Sequence, residues 1–245
     1  MTVANLVLAT DLDGTFLGGS DKDRRSLYGE LKARDDVILI FVTGRDIEFV
    51  AKLIETPGMP RPDYIIGDVG TSIYDGQRLA PIADLEAPIA GLWNSAGPRV
   101  MQMLDGDPGL EIQNTPFRHR VSYDCDPSIL RPSSAAKVRA AGFDCLLSAG
   151  RFFDVLPKGV SKGPTLIRLI QSLSVDTNRV LVAGDTMNDL SLFETGFKGV
   201  AVGNSEPELI AAVRNMRNVY RSQGLGTAGI SEAVRHFQFK GGSKP

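Results

Sequence analysis

The run Leu6-Val7-Leu8-Ala9-Thr10-Asp11-Leu12-Asp13-Gly14-Thr15 decides the fold. An apolar segment without polar alternation suits a strand buried on both faces, as in a parallel sheet covered by helices. The two carboxylates that follow sit where the chain leaves that strand, and open α/β sheets bind their ligands beyond the carboxyl ends of the strands. With Gly14 letting the chain turn, Asp11 and Asp13 can both face one reacting centre. Taken alone, the same residues also fit an Asx turn or a helix cap.

Working outward, Val37 to Val42 is a second unbroken run rich in β-branched residues. A helix is predicted between the two runs, from Ser26 to Arg34, and another from Asp46 to Glu55. Shorter strands are predicted at Tyr64 to Ile66, Val180 to Ala183 and Val200 to Val202, with helices after Lys162, Asp189 and Ser205. For the last helix, Ser205 and Glu208 have capping-box spacing and Pro207 suits the first turn. Strand–helix alternation at both ends of the chain predicts an α/β fold, with a Rossmann-like parallel sheet flanked by helices.

From about Ala80 to Lys158 the pattern changes to short mixed segments punctuated by proline and glycine, close to charge-balanced. This segment reads as an insertion. The expected organisation is a core of residues 1–79 and 159–245 interrupted by a smaller α/β domain of residues 80–158. A length of 245 residues accommodates both. Lys240 to Pro245 reads as a frayed tail.

Composition removes several function classes. Lys and Arg total 27 against 29 Asp and Glu, so no basic excess points to a nucleic-acid partner. No apolar stretch approaches the roughly 20 residues that span a bilayer. The first ten residues lack the basic start and long apolar stretch of a signal peptide. Cys125 and Cys145 are too few for a disulfide framework and read as buried thiols. The expectation is a cytoplasmic monomer acting on a small molecule, with no nucleic acid and no membrane.

Three further clusters fall at strand ends or helix starts: Thr43-Gly44-Arg45, Lys162-Gly163, and Gly184-Asp185-Thr186-Met187-Asn188-Asp189. A hydroxyl, an ammonium and a second acidic cluster at such positions are what a phosphate and a divalent cation require. Singly, Thr43 fits a helix cap and Lys162 a solvated surface lysine. Their conjunction with Asp11 and Asp13 is the informative observation. His119 and His236 lie far from these clusters and are read as structural, and Trp93 as a packing residue.

These motifs, in this order, resemble the haloacid dehalogenase-like phosphatases. The insertion resembles the α/β cap of the sugar-phosphatase branch. Within that branch the chain is most similar to the sucrose-phosphate phosphatases, through Gln113-Asn114, Pro116-Phe117, Ser122-Tyr123, Asp126-Pro127, Asp154-Val155-Leu156-Pro157 and the segment Gly229 to Val234. The resemblance implies Asp11 as nucleophile and Asp13 as general acid and base. It implies Thr43, Gly44, Lys162 and Asn188 around the phosphate, and Mg2+ at Asp11, Asp13, Asp185 and Asp189, the last orienting the inner shell and Lys162. An all-oxygen donor set without His or Cys agrees with magnesium. Candidate sugar contacts are Arg45, Asn114, Arg118, Asp154 and Lys158.

The chain departs from the sucrose-phosphate phosphatases at Ser72, where they usually carry an acidic residue. It also departs before Val121, where they tend to carry lysine and this chain has Arg118 and Arg120. Arginine's planar fork does not replace a compact ammonium. The expected activity is phosphatase action on a phosphorylated disaccharide such as sucrose 6-phosphate. Mannosylfructose phosphate or another sugar phosphate is the alternative within that activity. A phosphosugar mutase and a noncatalytic phospho-acceptor module are the alternatives outside it.

Overall fold

The computed structural model describes residues 4–239, so the tail from Lys240 to Pro245 lies outside the described residues. Strands β1 (Leu6–Thr10), β2 (Val37–Val42), β3 (Tyr64–Gly67), β4 (Ser72–Asp75) and β5 (Ala80–Pro81) are followed by four short strands of a separate sheet. These are β6 (Leu110–Ile112), β7 (Val121–Cys125), β8 (Phe143–Ser148) and β9 (Phe152–Pro157). The chain then returns to the first sheet with β10 (Val180–Gly184), β11 (Lys198–Ala201) and β12 (Val219–Arg221). The large sheet has the order β12-β11-β10-β1-β2-β3-β4-β5 and the small sheet β6-β7-β9-β8.

From β12 to β3 the large sheet is parallel, whereas β4 and β5 add an antiparallel edge. Strand β1 pairs with β2 on one side and with β10 on the other. The connections therefore diverge beside β1, which opens a crevice at its carboxyl end. Ala80–Pro81 still pairs with β4, so by sheet membership the chain leaves the large sheet after Pro81 rather than before Ala80.

Alternation along β1 feeds two cores. Leu6 and Leu8 pack with Phe16, Phe41 and Ile230 on one face, while Val7 and Ala9 pack with Val42, Leu166 and Phe193 on the other. The helices that cover these faces are α1 (Asp21–Ala33), α2 (Ile47–Ile54), α6 (Lys162–Leu173), α7 (Leu190–Phe193), α8 (Pro207–Val213) and α9 (Thr227–His236). The small sheet packs with α3 (Ala83–Trp93), α4 (Gly97–Leu104) and α5 (Pro132–Ala140) around its own core. There Trp93 meets Phe143 edge-on at 5.4 Å.

Three local expectations need correction. Helix α1 begins at Asp21, five residues before Ser26, because Ser20 caps it by accepting from the Asp23 N–H at 3.2 Å. Its first turn is polar and shows no apolar periodicity. Helix α8 has Glu206 as N-cap with no side-chain cap bond, since the Ser205 hydroxyl donates back to the Val202 carbonyl at 2.7 Å. Cys125 is buried but Cys145 only partly so, and both are free thiols. Among the described residues, no helix is long and apolar enough to cross a membrane.

Candidate active site

Asp11 is the first residue beyond β1, and its N–H donates to the Ala183 carbonyl of β10 at 2.9 Å. This bond pins the end of one strand to its neighbour across the crevice. Leu12 to Phe16 then wind one wide turn, closed by Phe16 N–H to Asp11 O at 3.1 Å and Leu17 N–H to Leu12 O at 2.8 Å. Gly14 has φ +81°, and a Cβ there would lie 2.1 Å from Asp185 Oδ2. Only glycine lets this turn approach Asp185 so closely. Gly14→Ala should therefore lower the thermal midpoint and shift Asp185, with at least about 1–2 kcal/mol of backbone strain. An unchanged midpoint in a calorimetric scan would contradict this.

Lys162, the first residue of α6, is fully buried. Its ammonium donates to Asp11 Oδ1 at 2.7 Å, Asn188 Oδ1 at 2.7 Å and Asp189 Oδ1 at 2.6 Å, which uses all three of its protons. A surface lysine at this position is thereby ruled out. Burial alone would lower the Lys162 pKa, but Asp11 and Asp189 together raise it above the ordinary lysine value. The ammonium stays charged at neutral pH.

The acidic side of the site is held just as closely. Asp189 Oδ2 accepts from the Asp185 and Thr186 N–H groups at 3.0 and 3.1 Å. Asp185 Oδ1 accepts from the Thr15 hydroxyl at 2.7 Å and Oδ2 from Asn204 Nδ2 at 3.3 Å. Carboxylate oxygens of Asp11, Asp185 and Asp189 all lie within 4.8 Å of one another. Burial pushes the Asp11 carboxyl up, against the pull of Lys162. Burial, and then Asp189, push Asp185 up to about 7. Three buried carboxylates share one ammonium, so the cluster holds excess negative charge that a proton or a cation must balance.

This donor set fits a hard divalent cation. It is all oxygen, with neither His nor Cys in the cluster. Asp189 already accepts three bonds, from Lys162 and two N–H groups, against two at Asp185, which suits an orienting role. Asp11 and Asp185 are better placed as direct ligands.

Asp13, two residues beyond Asp11, is half-exposed and paired in a fork with Arg45, at 2.8 Å from Nε and 3.0 Å from Nη2. Thr43 is fully buried, and its Oγ1 accepts from the Arg45 N–H at 3.1 Å. Asp11, Asp13, Gly44, Arg45 and Asn188 line the floor of a cavity of about 540 Å³. Its other side is formed by the small sheet and adjoining loops, including Asn114, Thr115, Asp124, Arg151 and Asp154.

Two expected sugar contacts lie elsewhere. Arg118 is held away from the cavity by a fork to Glu86, at 2.9 and 2.6 Å, and by the Tyr74 hydroxyl at 3.0 Å. Lys158 sits exposed in the turn after β9, outside the cavity lining. Ser72 is buried on β4 and likewise contributes nothing to the lining. Arg120 fills the place expected of Arg118. It is buried and lines the cavity, bonded to Asp68 on the core side and to Asp154 and Ser122 on the small sheet. Sequence reasoning also missed Thr15 and Asn204, whose partner Asp185 is 170 and 19 residues away.

The family model for sucrose-6F-phosphate phosphohydrolase matches residues 4–238. A mannosylfructose-phosphate phosphatase from Agrobacterium fabrum is 33% identical over 94% of this chain and 96% of its own length. A glucosylglycerol-phosphate synthase from Pseudomonas anguilliseptica is 45% identical over 96% of this chain, which spans only 31% of that protein. The crystal structure of the sucrose-phosphatase from Synechocystis sp. PCC6803, in complex with sucrose and phosphate, superposes with a TM-score of 0.86. It shares 27% identity and covers 96% of this chain and 99% of its own. This chain belongs to the sucrose-6F-phosphate phosphohydrolase family of haloacid dehalogenase-like hydrolases.

Proposed function

We propose that the chain hydrolyses a phosphorylated glycoside of disaccharide size, with Mg2+ as cofactor and through an aspartyl-phosphate on Asp11. The observation that carries this reading is the Lys162 ammonium, buried between Asp11, Asn188 and Asp189 behind the cavity floor that Asp11 and Asn188 line. A volume of about 540 Å³ lies within the range of small-molecule sites. Its lining of amide, hydroxyl, carboxylate and guanidinium groups suits a polyhydroxylated ligand better than an apolar one. Residues 80–158 are proposed to form a cap over a core of residues 1–79 and 159–245, with the first crossing just after Pro81.

In the proposed reaction, Asp11 attacks phosphorus in line, and the bond to the glycosyl oxygen breaks as the aspartyl-phosphate forms. Asp13 gives its proton to the departing oxygen, then takes one from the water that attacks the aspartyl-phosphate. Its fork with Arg45 must open for that role, which frees the guanidinium toward the cavity. Lys162, once it gives up its bond to Asn188, and the Thr43–Gly44 loop hold the phosphoryl oxygens, where charge spreads in the transition state. Asp11 and Asp185, with the Asp13 carbonyl, would hold Mg2+ while Asp189 orients the cluster. When bound, the ion supplies charge neutralisation at the phosphoryl group.

The relatives carry names that refer to sucrose, mannosylfructose phosphate and glucosylglycerol phosphate. We propose that the substrate belongs to this class of phosphorylated glycosides. The test is phosphate release from sucrose 6-phosphate, mannosylfructose phosphate and glucosylglycerol phosphate, with Mg2+ and with excess chelator. Turnover of at least one, lost on chelation and restored by Mg2+, is expected. Turnover indifferent to chelator would remove the metal from the proposal, and no turnover of any would remove the substrate class.

A further inference from the structure

We propose that Arg120 is a positioning residue that couples the sugar side of the cavity to the phosphate loop, so that recognition of the glycosyl group depends on it. This rests on the phosphatase reading above but assigns a role which that reading does not contain.

Arg120 is buried just ahead of β7, and its guanidinium has partners on both sides of the cavity. On the small sheet, Nη1 donates to Asp154 Oδ1 at 3.1 Å and to the Ser122 hydroxyl, which also donates to Asp154. Ser122 and Asp154 stand opposite each other in the β7–β9 register, so one guanidinium grips both strands. On the large-sheet side, Nε donates to Asp68 Oδ1 at 3.1 Å and Nη2 to the Gly44 carbonyl at 3.3 Å. The planar fork spans these acceptors, which a single ammonium cannot do.

The core-side partners lead directly to the reacting groups. The Gly44–Arg45 peptide is held from two directions, its carbonyl by Arg120 and its N–H by Thr43 Oγ1 at 3.1 Å. Asp68 N–H donates to the Arg45 carbonyl at 3.0 Å and Val69 N–H to the Thr43 carbonyl at 3.1 Å. The same turn accepts a bond from Thr165 of α6, the helix that carries Lys162, at the Gly70 carbonyl, 2.6 Å away. Asp68 and Val69 are non-glycine residues with φ of +54° and +58°, a conformation that surrounding contacts must hold in place. Arg120 is one of those contacts. Asp154 meanwhile directs Oδ1 to Arg120 and Ser122 and lines the cavity, where a sugar hydroxyl would lie.

The test compares Arg120→Lys with the wild type on the best-hydrolysed glycosyl phosphate, with inorganic phosphate as competitive inhibitor. Loss of charge-assisted bonds that fix the sugar side should raise KM roughly tenfold or more. The inhibition constant for inorganic phosphate, which meets the Thr43–Gly44 loop that Arg120 braces but not the sugar side, should rise by a clearly smaller factor than KM. Asp68→Asn keeps a residue that tolerates positive φ, removes the core-side ion pair, and should show the same split. It carries the test if Arg120→Lys does not fold. In the double variant, KM should exceed the larger single effect by no more than about twofold, as for two ends of one link. Equal changes in KM and the phosphate constant, or unchanged KM in both variants, would overturn the coupling. A wild-type protein that releases no phosphate would instead overturn the substrate reading.

Discussion

Asp11→Asn should reduce phosphate release by at least about 10³-fold while leaving the fold intact, because the change keeps side-chain shape and removes only the nucleophilic oxygen and its charge. The asparagine carbonyl can still accept from Lys162, where Asp11 Oδ1 now does so at 2.7 Å. A buried cluster with three carboxylates to one ammonium loses one of its like charges, so the variant should melt no lower than the wild type. Loss of activity with an unchanged or raised thermal midpoint separates a chemical role from a structural one. Activity within about tenfold of the wild type would rule out Asp11 as the attacking group.

Lys162→Met should have the largest effect on stability and also abolish turnover. The thioether side chain is similar in length, but Asp11 and Asp189 would lose the donor that bonds each of them at 2.7 and 2.6 Å. Removing one partner of a buried ion pair costs about 3–5 kcal/mol, mostly from the charge left behind. For a chain of this size that corresponds to a fall of roughly 10 °C in thermal midpoint. Asn188 also loses its 2.7 Å partner, so the turn between β10 and α7 should become more open to amide exchange. A midpoint within a degree or two of the wild type would show that Lys162 is not the electrostatic centre of the site.

The acidic cluster was legible because its residues sit at the ends of apolar strands. Asp11 and Asp185 follow β1 and β10, and periodicity alone locates both edges. Lys162 was legible by position but not by burial, since nothing local distinguishes a lysine at a helix start from a solvated one. The small-sheet side of the cavity was harder. Arg118 and Arg120 both precede β7, and only their partners in the folded chain decide which turns inward. Val121, Tyr123 and Val155 pack into the small-sheet core, so the alternate residues Arg120, Ser122 and Asp154 face the other way. That alternation puts Arg120 on the cavity face but gives Arg118, two residues earlier, the same parity, and only the fork from Arg118 to Glu86 separates the two. Thr15 and Asn204 carried no such signal, because their bonds to Asp185 exist only once β1, β10 and the loop after β11 lie side by side. The Ser205 capping pattern failed for a local reason, as the nearby Val202 carbonyl competes for the hydroxyl.

The most direct measurement is to quench the enzyme in acid during turnover of a saturating glycosyl phosphate, digest it, and locate covalent phosphate by mass spectrometry. A phosphoryl group on Asp11, lost in Asp11→Asn together with phosphate release, is the predicted result. Phosphate recovered on another residue, or none recovered while Asp11→Asn turns over at the wild-type rate, would contradict the assignment of this cluster as the phosphoryl-transfer site.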